Sequence, residues 1–435
     1  MKKINQVTVL GANGTMGCNV SAIFAAFGNA KVYMAARHLS DSQVAVARAA
    51  KSVRAESIIK NLIPVDYTSL PKCVKDSDLV FESVKEDLET KILISKEVAK
   101  YLRGDAILCT GSSGLHLGSI ADALPENVRP RYMGIHMFNP PYNLTLCELI
   151  KTTYTSEGVA NEISEYLKKQ LIRALVCVKD SPGFLGNRIG FQFMNKALQY
   201  AEKYKEKGGI DYIDAILGSF TGRLMPPLVT VDFVGLDVHK SIVDNLLANT
   251  KDYNNASFVL PKFVEDLIRN KKLGKKTGEG LYKTVKSDNG QKSHYVWDIQ
   301  TGDFRPVKKY DLEVARIMKS FIRVGDYENA VKYLIQSQSE ESKLCLEMIL
   351  DYVTYSLAVS DEVSDGAHAA DIAMATGFNW CPPLCWVDVI SRVTNFYKLC
   401  QDRLGSDICK AANLQANLEN SGSSQFNYRK YLRAI

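Results

Sequence analysis

Twelve residues near the start of the chain, Gln6-Val7-Thr8-Val9-Leu10-Gly11-Ala12-Asn13-Gly14-Thr15-Met16-Gly17, constrain its fold more than any other stretch. An apolar strand over Val7–Leu10 runs straight into a glycine-rich turn. The turn opens a helix carrying Ala22, Ile23, Phe24, Ala25 and Ala26, and a second apolar strand follows over Val32–Ala35. Such a strand–turn–helix–strand unit is built to seat a pyrophosphate. Glycines remove the Cβ atoms that would keep an anion off the backbone, and the helix N-terminus offers free N–H groups and a positive dipole end. Gly11, Asn13, Gly14, Thr15, Met16 and Gly17 are therefore candidate dinucleotide-binding residues. The usual spacing is G-x-G-x-x-G, whereas this turn runs G-x-x-G-x-x-G and is one residue longer. A turn that is merely tightly packed is the alternative.

The end of the second strand bears on which dinucleotide would bind. An NAD site usually places Asp or Glu there, against the ribose 2′-hydroxyl. Here the strand ends Met34-Ala35-Ala36-Arg37-His38, with no carboxylate before Asp41. Arg37 suits a 2′-phosphate through charge-assisted hydrogen bonds. It also suits stacking on adenine or a solvent-facing position, so NAD(H) and NADP(H) both stay open.

The chain has 435 residues, too many for one ordinary core, so two or three domains are expected. No apolar run reaches the ~18 residues of a membrane span, and Met1-Lys2-Lys3 leads directly into the first strand without the pattern of a signal peptide. Ten cysteines are scattered without CxxC pairs; with Cys381 and Cys385 the closest, they read as reduced core thiols of a cytoplasmic protein rather than a zinc site. A net charge of +6 with no arginine-rich or aromatic–basic block argues against nucleic acid and suits a phosphorylated ligand.

Strands alternate with helical stretches over the first 180 residues. Residues 42–61 read as helical. Leu79-Val80-Phe81 forms a buried strand closed by Glu82-Ser83-Val84-Lys85-Glu86-Asp87, and a helix runs on to about Leu102. Ala106–Cys109 is a strand ending at Thr110-Gly111-Ser112-Ser113-Gly114, and Arg131–Ile135 is a strand ending at His136. The alternation predicts a parallel sheet with helices on both faces, and chemistry belongs at the carboxyl ends of its strands. Glu86, Ser113 and His136 lie just past such ends.

After His136 come Met137-Phe138-Asn139-Pro140-Pro141, which stop the strand, and an alternating apolar stretch from Leu144 to Ile150 carries Glu148. A close return would set the Glu148 carboxylate behind the His136 imidazole, fixing its tautomer and stabilising an imidazolium as a general base requires. A strand-end histidine with an unrelated surface Glu is the alternative. A helix from Thr155 to about Leu171 and a strand over Ala174–Val178 follow. In Asp180-Ser181-Pro182-Gly183, Ser181 reads as an N-cap with Pro182 at the first helical position, placing Asn187 in the first turns.

Residues 181–282 read as all-helical. Asp288-Asn289-Gly290, between polar strand-like runs, reads as an exposed hairpin and linker. Residues 310–395 are helical again. Pro226-Pro227-Leu228 with Asp232 recurs 156 residues later as Pro382-Pro383-Leu384 with Asp388, preceded by Gly222 and Gly377, which favours a duplication. The last forty residues read as loosely ordered or peripheral.

These segments together resemble the L-3-hydroxyacyl-CoA dehydrogenases, particularly long members with a duplicated C-terminal helical domain. The resemblance spans roughly residues 5–395. It rests on the glycine turn, Glu82-Ser83-Val84-Lys85-Glu86, Ser112-Ser113-Gly114-Leu115, His136 to Pro141 with Glu148, Asp180 to Arg188, Pro226 to Asp237 and Leu273 to Gly280. It implies an α/β Rossmann-type dinucleotide-binding domain over residues 1–180. A helical C-terminal domain with a hairpin linker over 181–300 and a second helical repeat with a tail over 301–435 would follow. His136 and Glu148 match the family's catalytic pair, Ser113 and Asn187 its contacts to the substrate oxygen, and Glu86 and Lys91 its cofactor-lining residues.

The implied substrate is an acyl-CoA thioester of fatty acid β-oxidation or related metabolism. A dehydrogenase of free hydroxy or sugar acids, or a dinucleotide-binding scaffold without turnover, are the rivals. Three departures stand out: the longer turn with Ala36-Arg37, Gly111 where the family has Asn, and the lack of a hydratase domain after the helical repeat, from which no hydratase activity is expected. A second helical copy in the same chain would occupy the place of a dimer partner, so a monomer, or a dimer through another surface, is expected.

Overall fold

The computed structural model describes residues 3–287 and 289–434; Met1-Lys2 and the hairpin-tip Asp288 of the sequence reading lie outside them. The chain divides into two compact units, Met1–Phe184 and Leu185–Ile435.

In the first unit the elements run β1 (Gln6–Leu10), α1 (Thr15–Ala26), β2 (Lys31–Ala36), α2 (Leu39–Ser52), β3 (Leu62–Asp66), α3 (Leu70–Asp76), β4 (Leu79–Glu82), α4 (Leu88–Ala99), β5 (Ile107–Thr110), α5 (Leu117–Asp122), β6 (Tyr132–Met137), β7 (Leu146–Lys151), α6 (Glu157–Glu165) and β8 (Ala174–Lys179). The strands form one eight-stranded sheet in the order β3-β2-β1-β4-β5-β6-β7-β8. Strands β1 to β6 are parallel, as the alternating pattern predicts. β7 runs antiparallel to β6, and β8 parallel to β7. The reversal follows from the Pro140-Pro141 turn, which is too short for the helical crossover that a parallel neighbour needs. Val7 and Val9 of β1, Met34 of β2, Phe81 of β4 and Ile135 of β6 share one buried cluster with Ile23 and Phe24 of α1.

Two local expectations are corrected. β3 was not foreseen within or after the helical reading of 42–61: Pro64 interrupts its strand pattern, and the sheet tolerates the proline because β3 is an edge strand. The helix expected from Pro182 begins only at Gly186, because Gly183 and Phe184 take positive φ angles of 68° and 52°.

The second unit contains α7 (Gly186–Lys203), α8 (Ile210–Ile216), α9 (Pro227–Val234), α10 (Leu236–Asn249) and α11 (Lys262–Arg269), then a meander of β9 (Tyr282–Lys286), β10 (Lys292–Asp298) and β11 (Asp303–Pro306). Helices α12 (Glu313–Arg323), α13 (Tyr327–Gln336), α14 (Glu340–Val363), α15 (Ala367–Ala373), α16 (Pro383–Ser391), α17 (Phe396–Leu404), α18 (Ser406–Ala411) and α19 (Leu414–Ser421) follow. The foreseen hairpin gains a third strand and is fastened to α8, where Arg305 pairs with Asp211 at 2.7 Å.

The repeated Pro-Pro-Leu segments have matching surroundings. Asp214 accepts N–H bonds from Leu228 (2.8 Å) and Val229 (3.1 Å) at the start of α9, and a bond from the Tyr282 hydroxyl. Asp371 accepts from Leu384 N–H (2.8 Å) at the start of α16, and from the Ser424 hydroxyl. Burial raises each carboxyl to about 7. Asp232 takes the N–H of Leu281, and Asp388 that of Ser424. Gly222, with φ of 84°, is matched by Asn379 at 54° rather than by Gly377. Arg223 and Trp380 form an antiparallel bridge between the two stretches, and Cys381 N–H donates to Gly222 O at 2.7 Å. The Arg223 guanidinium is buried 3.7 Å from the ring centre of Phe193 and 4.7 Å from that of Trp380.

The tail is not peripheral. Its serine-rich run is polar because Ser424 binds two carboxylates of the helical core, and Leu414, Tyr428 and Leu432 are buried. All ten cysteines are free thiols, nine of them buried. Among the described residues no helix is long and apolar enough to cross a membrane.

Candidate active site

The antiparallel register of β6 and β7 sets His136 directly opposite Glu148. The imidazole Nδ1 lies 2.6 Å from the Glu148 Oε2, with His136 5% and Glu148 0% exposed. A carboxylate only accepts, so this bond assigns the hydrogen to Nδ1 and leaves Nε2 to exchange a proton. Phe138, edge-on at 4.7 Å, and Phe184 at 5.6 Å flank the ring, giving it the dry surroundings in which a charge pair gains strength.

One strand over, beyond the carboxyl end of β5, lies Ser113. Its N–H donates to Glu86 Oε1 (2.8 Å), as does the Ser112 hydroxyl, so Glu86 shapes the Ser112-Ser113 turn. Glu86 also pairs with Lys91 at 3.3 Å. The Lys91 ammonium, 1% exposed, sits beneath this loop and bonds both oxygens of buried Glu82 at 2.9 and 3.0 Å. Thr110 Oγ1 and Val84 N–H, each at 2.6 Å, complete the Glu82 shell. Gly111, where the family has Asn, has no room for a side chain: an added Cβ would meet Phe81 Cζ at 2.7 Å.

The pyrophosphate turn is tight at both ends. A Cβ on Gly11, whose φ is 70°, would lie 2.4 Å from Ser83 O, and one on Gly17 would lie 2.4 Å from Gly11 O. Asn13, Gly14 and Thr15 are exposed between them, and no side chain caps the start of α1. An exposed helix start with uncapped amides and no obstructing Cβ at Gly14 fits a dinucleotide pyrophosphate. The extra residue of the turn is held by Arg48 of α2, whose guanidinium donates to Asn13 O (2.6 Å) and Gly14 O (3.2 Å). Gly11 N–H donates to the Tyr67 hydroxyl at 3.2 Å, beside the end of β3. Burial raises the Tyr67 phenol, with the Gly11 bond and the nearby Arg37 charge acting the other way.

Asn187, the second residue of α7, is buried in the other compact unit. The sequence reading missed the roles of Glu82, Tyr67, Arg48 and Asp180. Asp180 accepts from Leu117 N–H (2.9 Å) and Gly118 N–H (2.7 Å) and pairs with His116, capping α5 beside the Ser113 loop. Signals existed for Asp180, which opens the Asp-Ser-Pro-Gly run, and for Glu82, which opens the Glu-Ser-Val-Lys-Glu run; Tyr67 and Arg48 come into play only through the three-dimensional path of β3 and α2.

Residues 6–181 match the NAD binding domain of 3-hydroxyacyl-CoA dehydrogenases, and residues 183–284 match their C-terminal domain. The mitochondrial hydroxyacyl-coenzyme A dehydrogenase of Rattus norvegicus is 30% identical over 301 residues, covering 64% of this chain and 91% of the relative. The chain belongs to the 3-hydroxyacyl-CoA dehydrogenase family.

A Rickettsia felis protein named for a trifunctional fatty acid oxidation complex is 28% identical over 394 residues, 87% of this chain and 52% of that protein. The chain thus spans about half the length of the first such relatives it matches. Among solved structures, FadB2 of M. tuberculosis aligns at a TM-score of 0.59 with 26% identity, over 65% of this chain and all (100%) of the other. The 3-hydroxybutyryl-CoA dehydrogenase of Escherichia coli K12 aligns at a TM-score of 0.72 with 20% identity, over 96% of this chain and 99% of that one. That likeness in fold extends past residue 284 through the second helical stretch.

Proposed function

We propose that this chain is an L-3-hydroxyacyl-CoA dehydrogenase, reversibly oxidising the C3 hydroxyl of a 3-hydroxyacyl-CoA with a nicotinamide dinucleotide. The observation that supports this most is the buried His136–Glu148 pair on adjacent strands of the sheet whose β1 turn fits a pyrophosphate. When bound, the nicotinamide ring supplies the two-electron acceptor or donor. In oxidation, His136 Nε2 takes the proton of the C3 hydroxyl as C3 gives up hydride, and Glu148 stabilises the resulting imidazolium. In reduction, protonated His136 donates to the forming alkoxide. Ser113 and Asn187 are assigned to hold the substrate oxygen, following the family's pattern. A positioned acid–base of this kind contributes on the order of 10²–10⁴ in rate.

The matched Asp214/Asp371 and Asp232/Asp388 arrangements support reading residues 301–435 as a second copy of the 181–300 domain, after a dinucleotide domain over 1–180. We take the chain to be cytoplasmic, and a monomer or a dimer through a surface other than the usual helical one. The test is loss of nicotinamide absorbance with acetoacetyl-CoA, with acetoacetate as control and His136→Ala beside the native protein. Turnover of the thioester alone, abolished in the variant, is expected. Dinucleotide binding without thioester turnover would overturn the assignment.

A further inference from the structure

The rim of the dinucleotide site departs from an NAD-reading one at two points. First, β2 ends at Ala36 and is followed by Arg37, which is exposed and makes no ion pair or hydrogen bond among the described residues. A guanidinium left unpaired beside an anion site is a standing donor for phosphate, and a poor neighbour for a neutral ribose hydroxyl that needs an acceptor. Second, the carboxylate in register with this strand end, Asp66 opposite Ala36, lies on the neighbouring strand and turns one oxygen into its own turn: Oδ1 accepts from both the N–H (3.1 Å) and the hydroxyl of Thr68. Beside them, Gly11 N–H is bonded to the Tyr67 hydroxyl, whose phenol feels the positive charge of Arg37.

The start of α2, immediately after Arg37, also lacks a side-chain cap, and Ser40 in its first turn is exposed. Asp41, also exposed and in that turn, is the one opposing charge of α2's first turn; His38 completes the set of titratable groups at the end of β2.

We propose that this site takes NADP(H), with the Arg37 guanidinium binding the 2′-phosphate of the adenosine ribose. The proposal rests on the dinucleotide-binding part of the function given above and is independent of the acyl substrate. A charge-assisted hydrogen bond to phosphate corresponds to about 10- to 100-fold in affinity.

The experiment is direct titration of the native protein, Arg37→Ala and Arg37→Asp, with NADPH and NADH separately, read by nicotinamide fluorescence. Competition by 2′,5′-ADP against 5′-AMP is run in parallel. The expected result is tighter binding of NADPH by about 10- to 100-fold, collapse of that ratio toward unity in Arg37→Ala, its reversal in Arg37→Asp, and preferential displacement by 2′,5′-ADP. Native protein that binds NADH as tightly as NADPH, or neither, overturns the proposal, as does a ratio unchanged in Arg37→Ala. Because binding is read without turnover, NADPH-selective protein that ignores acetoacetyl-CoA would leave this inference standing and refute the proposed reaction instead.

Discussion

Replacing Glu148 with Gln isolates what the buried carboxylate does. The side chain keeps its shape, so the 2.6 Å contact to His136 Nδ1 and the packing of a 0% exposed site are retained while the charge is lost. The carboxylate matters most when His136 holds the substrate proton, because only then does it face an imidazolium. A charge-assisted hydrogen bond in that state contributes about 1.5–3 kcal/mol, or roughly 10- to 150-fold in rate. The amide adds a second penalty. Its NH₂ can donate to Nδ1, holding the neutral ring in the tautomer protonated at Nε2, which cannot accept a proton. Together these give a fall in kcat for acetoacetyl-CoA reduction and its reverse of about 10²–10³. The assay is steady-state kinetics in both directions, with a thermal melt to verify that the variant is folded. A folded Glu148→Gln protein whose kcat stays within about threefold of native would refute the role given to this pair.

Three further outcomes are expected. Gly11→Ala, with φ of 70° and a Cβ that would lie 2.4 Å from Ser83 O, should cost at least about 1–3 kcal/mol and weaken dinucleotide binding, read by urea denaturation and fluorescence titration. Gly111→Asn should lose about 1–3 kcal/mol by overpacking against Phe81, and that loss should shrink when the same change is made in a Phe81→Val background; an equal loss in both backgrounds of the double-mutant cycle would count against this fit. Burial moves Asp371 from 3.8 up to about 7, so the folded state keeps a proton that the unfolded chain has released. Stability from this group is full below about pH 4 and is lost as pH rises to about 7, a change of about 4 kcal/mol. Asp371→Asn should therefore flatten the fall in stability between about pH 4 and about pH 7 measured by urea denaturation, and an unaltered fall would contradict the assignment.

The sheet's order of events was legible because β1, β4, β5 and β6 are short apolar runs ending in distinctive loops. The two prolines allowed a close return, but only the family resemblance favoured a His136–Glu148 pair over a strand-end histidine with an unrelated Glu; the antiparallel register sets the two opposite each other. β3 was hidden by Pro64, whose edge position no local pattern reveals. The delayed start of α7 was hidden because Ser181-Pro182 has the form of a helix start, while a positive φ at Phe184, a residue type that rarely adopts one, leaves no local pattern. Polar tail residues such as Ser424 looked dispensable until the buried carboxylates they satisfy came into view. Tyr67 and Arg48 illustrate a general limit: residues that tune a site from neighbouring strands and helices leave no spacing signature.

The bridge between Arg223 and Trp380, with the Cys381-to-Gly222 bond beside it, joins two helical stretches that a single backbone already tethers. Closure of this core from the unfolded chain is therefore a first-order event, governed by an effective concentration that dilution cannot change. If the chain is a monomer, its melting temperature should be the same at nanomolar and micromolar protein, whereas a dimer through another surface would make it rise with concentration.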